Sequence, residues 1–422
     1  MPEFSVAPYK ELTFDADGDV HAGQLAALRG LRVRDLIVFA HGWNNDRSMA
    51  TKFYDRFFAP FGEFAPARTT GYAGILWPAM RFTDEPIPDF DPARAVDPVL
   101  SSRLEQATQQ ALRAVFPDRT EVVDELARLL DEHAADMAAI EQFGELVAEL
   151  VEGHGRQGAG LDTEDEVGEP QLLSTPALPM CNVFAGALEE TGAFGDRQSF
   201  GIGLDRLWNG GKELLRQATY YAMKRRAGTV GQLGLGPALG ELAEHNPDLR
   251  IHLIGHSFGA RLVSFALKGL PKSVTNVKSV TLLQGAFSHY AFAPKLPHQA
   301  GGGALRGQER RIDGPLVCCH SSHDSALKVF YPLASRLAGD SASLLPDDAK
   351  WGALGFDGIQ AVEGVKRLTL AQALGGGLPK DGCVNVDASA TVRRGGPPSG
   401  AHSDILHREL ARVVLAAGRI KD

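Results

Sequence analysis

Gly255-His256-Ser257-Phe258-Gly259 places a serine between two glycines at the point where the apolar run Ile251 to Ile254 gives way to an amphipathic segment. A G-x-S-x-G pattern between a strand and a helix is a setting in which a serine hydroxyl can act as a nucleophile. A side chain on so sharp a turn has strained dihedrals, and flanking residues without a Cβ let strand and helix approach closely. Gly255 and Gly259 are therefore expected to provide steric clearance, with His256 and His252 serving as turn or packing residues. A hydroxyl remains a poor nucleophile unless a base takes its proton and an acid orients that base. Candidates follow in chain order. Asp324 closes His320-Ser321-Ser322-His323-Asp324 after an apolar run ending at Cys319, and His402 sits in Gly400-Ala401-His402-Ser403-Asp404 before the last helical pattern. Asp357 and Asp387 stand as alternative acids and His323 as an alternative base. The spacing of His320, His323 and Asp324 also suits a metal, but it lacks the i, i+4 helical geometry of zinc proteases. Serine chemistry needs neither metal nor cofactor.

The elements that would position these groups follow from periodicity. Short apolar runs of the kind made by strands buried on both faces occur at 36–40, 73–77, 251–254, 280–283 and 316–319, with a weaker one at 384–386. The stretch KELTFDADGDV, with its Asp-Gly turn signal, predicts a leading antiparallel pair. Helical patterns at 48–58, 260–267 and 405–417 alternate with the runs, which predicts an α/β fold with a mostly parallel sheet and helices on both faces. Residues 97–202 interrupt the alternation. There Val122, Leu126, Leu129, Leu130, Met137, Ile140, Phe143, Leu146, Val147 and Leu150 make one face of a long helix or a helix pair. The Gly- and acid-rich residues 153–170 predict a surface loop. The expected organisation is a core domain of residues 1–96 and 203–422, with 97–202 as a helical insertion that either packs on it or caps a site.

The order nucleophile, acid, histidine resembles the α/β-hydrolase superfamily of serine esterases and lipases, over about 30–96 and from about 203 onward. A second motif carries the resemblance: Leu36-Ile37-Val38-Phe39-Ala40-His41-Gly42-Trp43 is similar to the His-Gly oxyanion loop of that family. The resemblance implies Ser257 as nucleophile, His402 as base and Asp324 as acid. It also implies an oxyanion hole made by the backbone amides of Trp43 and Phe258. The single oxyanion glycine, Gly42, is similar to the lipases and esterases that lack the HGGG form. Trp43, Phe258, Met80 and Phe82 are candidates for an acyl-pocket wall, and Asn44-Asn45-Asp46 for holding the loop through side-chain bonds.

Composition narrows the partners. A net charge of 43 − 52 = −9 opposes binding to nucleic acid, and the basic clusters at 224–226 and 310–311 are too short to track a phosphate backbone. No signal-like start and no eighteen-residue apolar stretch occur, which predicts no integral membrane segment and a cytoplasmic protein, with signal-free secretion compatible. Cys181, Cys318, Cys319 and Cys383 suggest no disulfide framework. The expected activity is cleavage of a small-molecule or lipid-like carboxylic ester through an acyl-enzyme. An interfacial lipase or phospholipase effector, or a catalytically silent scaffold of the same fold, are the alternatives.

Overall fold

The computed structural model describes residues 4–43, 47–80, 82, 102–134, 136–152, 175–191, 203–297, 300–331 and 352–420. The boundaries expected at 97 and 202, the 153–170 loop and Asn44-Asn45-Asp46 lie outside them.

The strands are β1 (Tyr9–Thr13), β2 (Asp35–Ala40), β3 (Thr70–Leu76), β4 (Arg250–His256), β5 (Val277–Leu283), β6 (Pro315–His320), β7 (Lys366–Thr369) and β8 (Gly382–Asp387). They form one eight-stranded sheet in the order β1-β3-β2-β4-β5-β6-β8-β7. Every described pairing is parallel. The apolar runs lack alternation because both faces are covered. On β2, Leu36, Val38 and Ala40 join one core cluster while Ile37 and Phe39 join another. On β4, Ile251 and Leu253 divide from Ile254 in the same way. Fully burying each such side chain contributes roughly 1.5–3 kcal/mol.

Helix α1 (Ala22–Arg29) and helix α2 (Arg47–Phe58) lie early in the chain. Between β3 and β4 the described elements are helical: α3 (Gln106–Val115), α4 (Thr120–Glu132), α5 (Met137–Glu152), α6 (Ala177–Glu190), α7 (Leu204–Thr229) and α8 (Gly236–His245). The apolar face predicted across 122–150 belongs to a helix pair, α4 and α5. Met137 is a correction, since it opens α5 and is 50% exposed. Helix α7 packs along α6 and on α9 (Phe258–Gly269), so the helices after β3 share one continuous core with the sheet. Helix α10 (Arg408–Gly418) covers the opposite face together with α2.

The leading antiparallel pair is also corrected. β1 runs parallel beside β3, and antiparallel contact is limited to a Phe14–Val20 bridge. The Asp15 carboxylate accepts from the amides of Asp17 (3.0 Å) and Asp19 (2.8 Å), which closes a turn leading into α1. Edge strand β7 is largely exposed and has no apolar run to betray it. Among the described residues, no helix is long and apolar enough to cross a membrane.

From β2 the chain crosses to β3 over the face that carries α2, whereas from β4 it crosses to β5 over the face that carries α9. The winding reverses between β2 and β4, leaving a crevice at their carboxyl ends where open α/β sheets bind ligands.

At the opposite ends of the same strands lies a closed polar network. Asp35 Oδ1 accepts from His252 Nε2 (2.9 Å) and pairs with Arg250 Nη1 (2.9 Å), and Oδ2 accepts from Arg34 Nε (2.7 Å). His252 Nδ1 then accepts the Ser279 hydroxyl at 2.9 Å. Burial pushes the Asp35 carboxyl up, but bonds from His252 and Arg34 and the charge of Arg250 outweigh it and hold it below its ordinary value. Burial keeps His252 neutral despite Asp35, lowering its pKa; burial likewise lowers His320.

These histidines take up protons on unfolding, so the stability they confer is complete above about pH 6.5 and is lost as pH falls through that value. Asp35 adds a further loss below about pH 3.9. In His252→Gln, the pH dependence of unfolding free energy between about pH 6.5 and 5 should be shallower by up to about 1.4 kcal/mol per unit. Denaturant titrations across that range measure it, and an unchanged slope would show that His252 is not a source.

Candidate active site

Ser257 occupies the single-residue joint between β4 and α9 with φ 55° and ψ −120°. A non-glycine residue at positive φ costs of order 1–3 kcal/mol and persists only where its surroundings over-determine it. The surroundings here are backbone. A Cβ on Gly255 would lie 2.3 Å from the Gly259 carbonyl oxygen, and one on Gly259 would lie 2.0 Å from that of Ala40. The predicted clearance is therefore real at both positions. The turn is also tied to β5 and the loop after it: Ser257 N–H donates to Leu283 O (3.1 Å), and Ala286 N–H donates to Ser257 O (3.3 Å).

Two loops from distant strands converge on this turn. Asp324, fully buried beyond the end of β6, and His402, in the connection between β8 and α10, are brought side by side by an antiparallel bridge between Asp324 and Gly400. Ala401 N–H donates to His323 O at 2.9 Å. Gly400 has φ +59°, and a Cβ there would sit 2.5 Å from the His323 carbonyl oxygen, so glycine permits the bridge. His402 Nδ1 stands 2.7 Å from Asp324 Oδ2, and its Nε2 stands 2.9 Å from Ser257 Oγ. The carboxylate selects the tautomer. With Nδ1–H donated to Asp324, Nε2 presents its lone pair to the serine hydroxyl. Asp324 Oδ1 accepts from Leu327 N–H (3.0 Å), which fixes the carboxylate in turn.

The alternatives are engaged elsewhere. Asp357 binds His289 Nδ1 (3.0 Å), and Asp387 accepts from Ser389 N–H (2.9 Å). His323 supplies its backbone carbonyl to the loop bridge, and the Asp324 oxygens that a metal would need are taken by His402 and Leu327.

The loop after β2 passes against the serine: a Cβ on Gly42 would lie 2.9 Å from Ser257 Cβ. His41 is clamped on several sides. Its N–H donates to Tyr54 Oη (3.0 Å), its carbonyl accepts Trp77 Nε1–H (3.0 Å), and its Nδ1–H donates to Gly42 O (2.6 Å). The Tyr54 hydroxyl in turn donates to Ile75 O at 2.5 Å, and the Trp77 ring stacks on His41 at 5.7 Å. Tyr54 and Trp77 were not singled out in the sequence. Trp77 follows a strand run and Tyr54 lies in an aromatic-rich helix, so each resembles ordinary core.

Phe258 is the first residue of α9, where a backbone N–H has no intrahelical acceptor and the helix dipole favours negative charge. Its ring lies 6.2 Å from that of Trp43, and both rings touch Tyr220 on α7, at 4.5 and 5.7 Å. Phe82 joins Trp43 at 6.1 Å. Trp43, Phe258 and Phe82 thus gather in one aromatic cluster, with Tyr220 added by a helix whose sequence does not announce it. Met80 is buried in the same core.

A methyl at residue 259 has nowhere to go, because its neighbour is backbone. Gly259→Ala should therefore lower unfolding free energy by about 3 kcal/mol or more in denaturant titration, and wild-type stability would refute the close approach. Compared with protein-family models, curated proteins and solved structures, the chain matches none, and the geometry of the site itself carries the functional reading.

Proposed function

We propose that this chain is a serine hydrolase of the α/β-hydrolase type that cleaves carboxylic esters. The observation that carries the reading is the hydrogen-bonded series Ser257–His402–Asp324, at 2.9 and 2.7 Å, on a strained turn at the carboxyl edge of a parallel sheet. The strand order supports it. Nucleophile, acid and base follow β4, β6 and β8, which lie successively further from the crevice in one half of the sheet, while the His41-Gly42 loop closes β2 on the crevice's other side.

Ser257 Oγ attacks the ester carbonyl as His402 Nε2 takes its proton. The Asp324 carboxylate stabilises the imidazolium without becoming protonated. The tetrahedral oxyanion forms beside the amides of Trp43 and Phe258, which need no reorganisation because the His41 clamp and the start of α9 already hold them. One such donor typically contributes a factor of about a hundred or more in turnover. Collapse expels the alcohol with the proton returned from His402, leaving an acyl-Ser257 ester. Water then enters by the same route, deprotonated by His402, and releases the acid. Residues 97–202 serve as a cap-like insertion in this reading: their described helices pack on α7, whose Tyr220 touches Phe258 beside the nucleophile.

An ester panel graded by acyl length, run beside a fluorophosphonate label, tests the reading. Ser257→Ala should abolish both turnover and labelling with its melting temperature nearly unchanged, and retained turnover would remove Ser257 as the nucleophile. Asp324→Asn should lower kcat by about ten-thousandfold, since the amide favours the wrong imidazole tautomer. A wild-type protein that neither labels nor turns over any ester would favour a silent scaffold.

A further inference from the structure

His256, the residue before the nucleophile, is held in a way that packing does not explain. Its Nε2 lies 2.8 Å from the backbone carbonyl of His402, so Nε2–H donates directly to the residue whose ring faces Ser257. The remaining nitrogen, Nδ1, is buried with no hydrogen-bond partner among the described residues. A Cβ on Gly42 would lie 3.3 Å from it. Leaving a buried acceptor unpaired costs roughly 1–3 kcal/mol, a cost an apolar ring of similar size would avoid. An imidazole at this position therefore serves through its donor.

We propose that His256 is a positioning residue: its Nε2–H grips the His402 carbonyl and so fixes the base relative to the serine from within the nucleophile turn itself. This rests on the hydrolase reading above and names a further member of the same site. The connection between β8 and α10 spans 388–407, and on the acid side it is held by Ala401 N–H to His323 O, Ala326 N–H to Ser399 O and Ser321 Oγ–H to Val392 O. Those bonds tie it to the Asp324 loop, and none of them reaches the turn at Ser257. The His256 bond supplies the missing constraint. His402 is then held towards the turn twice, through its ring at 2.9 Å and through its backbone at 2.8 Å, by adjacent residues.

The grip also has to be electrically silent. The two imidazole centroids are only 5.2 Å apart, and a second positive charge there would oppose the imidazolium that forms on His402. The ionisable groups acting on His256 are His402 and His41, with the Phe53 ring 6.0 Å away. Burial first, and then the proximity of His402 and His41, lower the His256 pKa to about 3, so it stays a neutral donor throughout the working range of a His base.

Two variants separate the donor from the volume it fills. His256→Phe keeps a planar ring without the donor, and His256→Gln keeps an N–H. His256→Phe should lower kcat about 10–100-fold with KM within about twofold, as losing an outer partner does elsewhere, and His256→Gln should recover most of the loss. Equal losses in both variants, or wild-type kcat in His256→Phe, would overturn the proposal. Imidazole NMR of the protein without substrate gives a readout independent of turnover. The downfield Nδ1–H of His402 should be present in wild type, broadened or lost in His256→Phe, and restored in His256→Gln. Wild-type His256 should also remain the Nε2–H tautomer from about pH 5 to about pH 9. A titrating His256, or a His402 proton indifferent to both variants, overturns the positioning role. A wild type that shows these signals yet hydrolyses no ester would instead sink the hydrolase reading alone.

Discussion

The structure turns on backbone meeting backbone around one residue. Where α9 leaves β4, the carbonyl of Ala40 comes within 2.0 Å of where a side-chain carbon at 259 would stand, and the Gly259 carbonyl within 2.3 Å of where one at 255 would stand. Because nothing larger than hydrogen fits, Ser257 is forced to φ 55° and its hydroxyl onto the sheet edge. The same closeness brings the β2 loop against the serine and starts a helix directly behind it. The proposed nucleophile, the helix N-terminus and the proposed oxyanion amides are thus consequences of one packing condition, and the strain at Ser257 is offset by the surrounding core.

Besides a Ser102–His133–Asp205 series among the helices, two sets of serine, histidine and aspartate occur on the sheet among the described residues, which shows why residue types alone do not define a site. Asp35, His252 and Ser279 lie on β2, β4 and β5 with bonds of 2.9 Å throughout, as regular as those of Asp324, His402 and Ser257. The first set sits within the sheet at the end away from the crevice, on strands and with almost no exposure. There the aspartate is neutralised by Arg34 and Arg250, and the hydroxyl proton is spent on His252. In the second set each member sits on a turn or loop beyond a strand's carboxyl end. Only there can a substrate carbonyl approach a hydroxyl whose proton faces a base. The inner network joins three strands, and the outer one is the proposed chemistry.

The outer set needs loops that are rigid without regular structure. The Asp324 loop and the His402 loop bridge each other, the turn at Ser257 holds the His402 loop through His256, and Tyr54 with Trp77 clamps the His41-Gly42 loop. Each clamp uses a backbone carbonyl or amide as one partner. Such bonds hold position without adding charge. The aromatic cluster of Trp43, Phe258 and Tyr220 joins the turn at Ser257 to α7, and Arg261 Nε–H donating to Lys224 O adds a hydrogen bond between α9 and α7.

Apolar runs flanked by turn residues were enough to find the strands that are buried on both faces, because burial leaves so plain a mark on composition. The Gly-x-Ser-x-Gly turn and the His-Gly pair were legible for a related reason: glycine at a fixed offset records a steric demand. Strand β7 left no such mark, being polar and exposed at an edge, and the direction of β1 depended on which neighbour it met rather than on its own residues. Asp324 was one acid among several in the sequence. Only the bridge to Gly400 set it beside His402, since pairing between loops 78 positions apart has no local signature. The roles of His256, Tyr54, Trp77 and Tyr220 were likewise decided by tertiary contact, where a side chain's partner comes from another strand or helix. Local steric and burial requirements are written in the chain, whereas the pairing of distant polar groups is settled when the strands assemble.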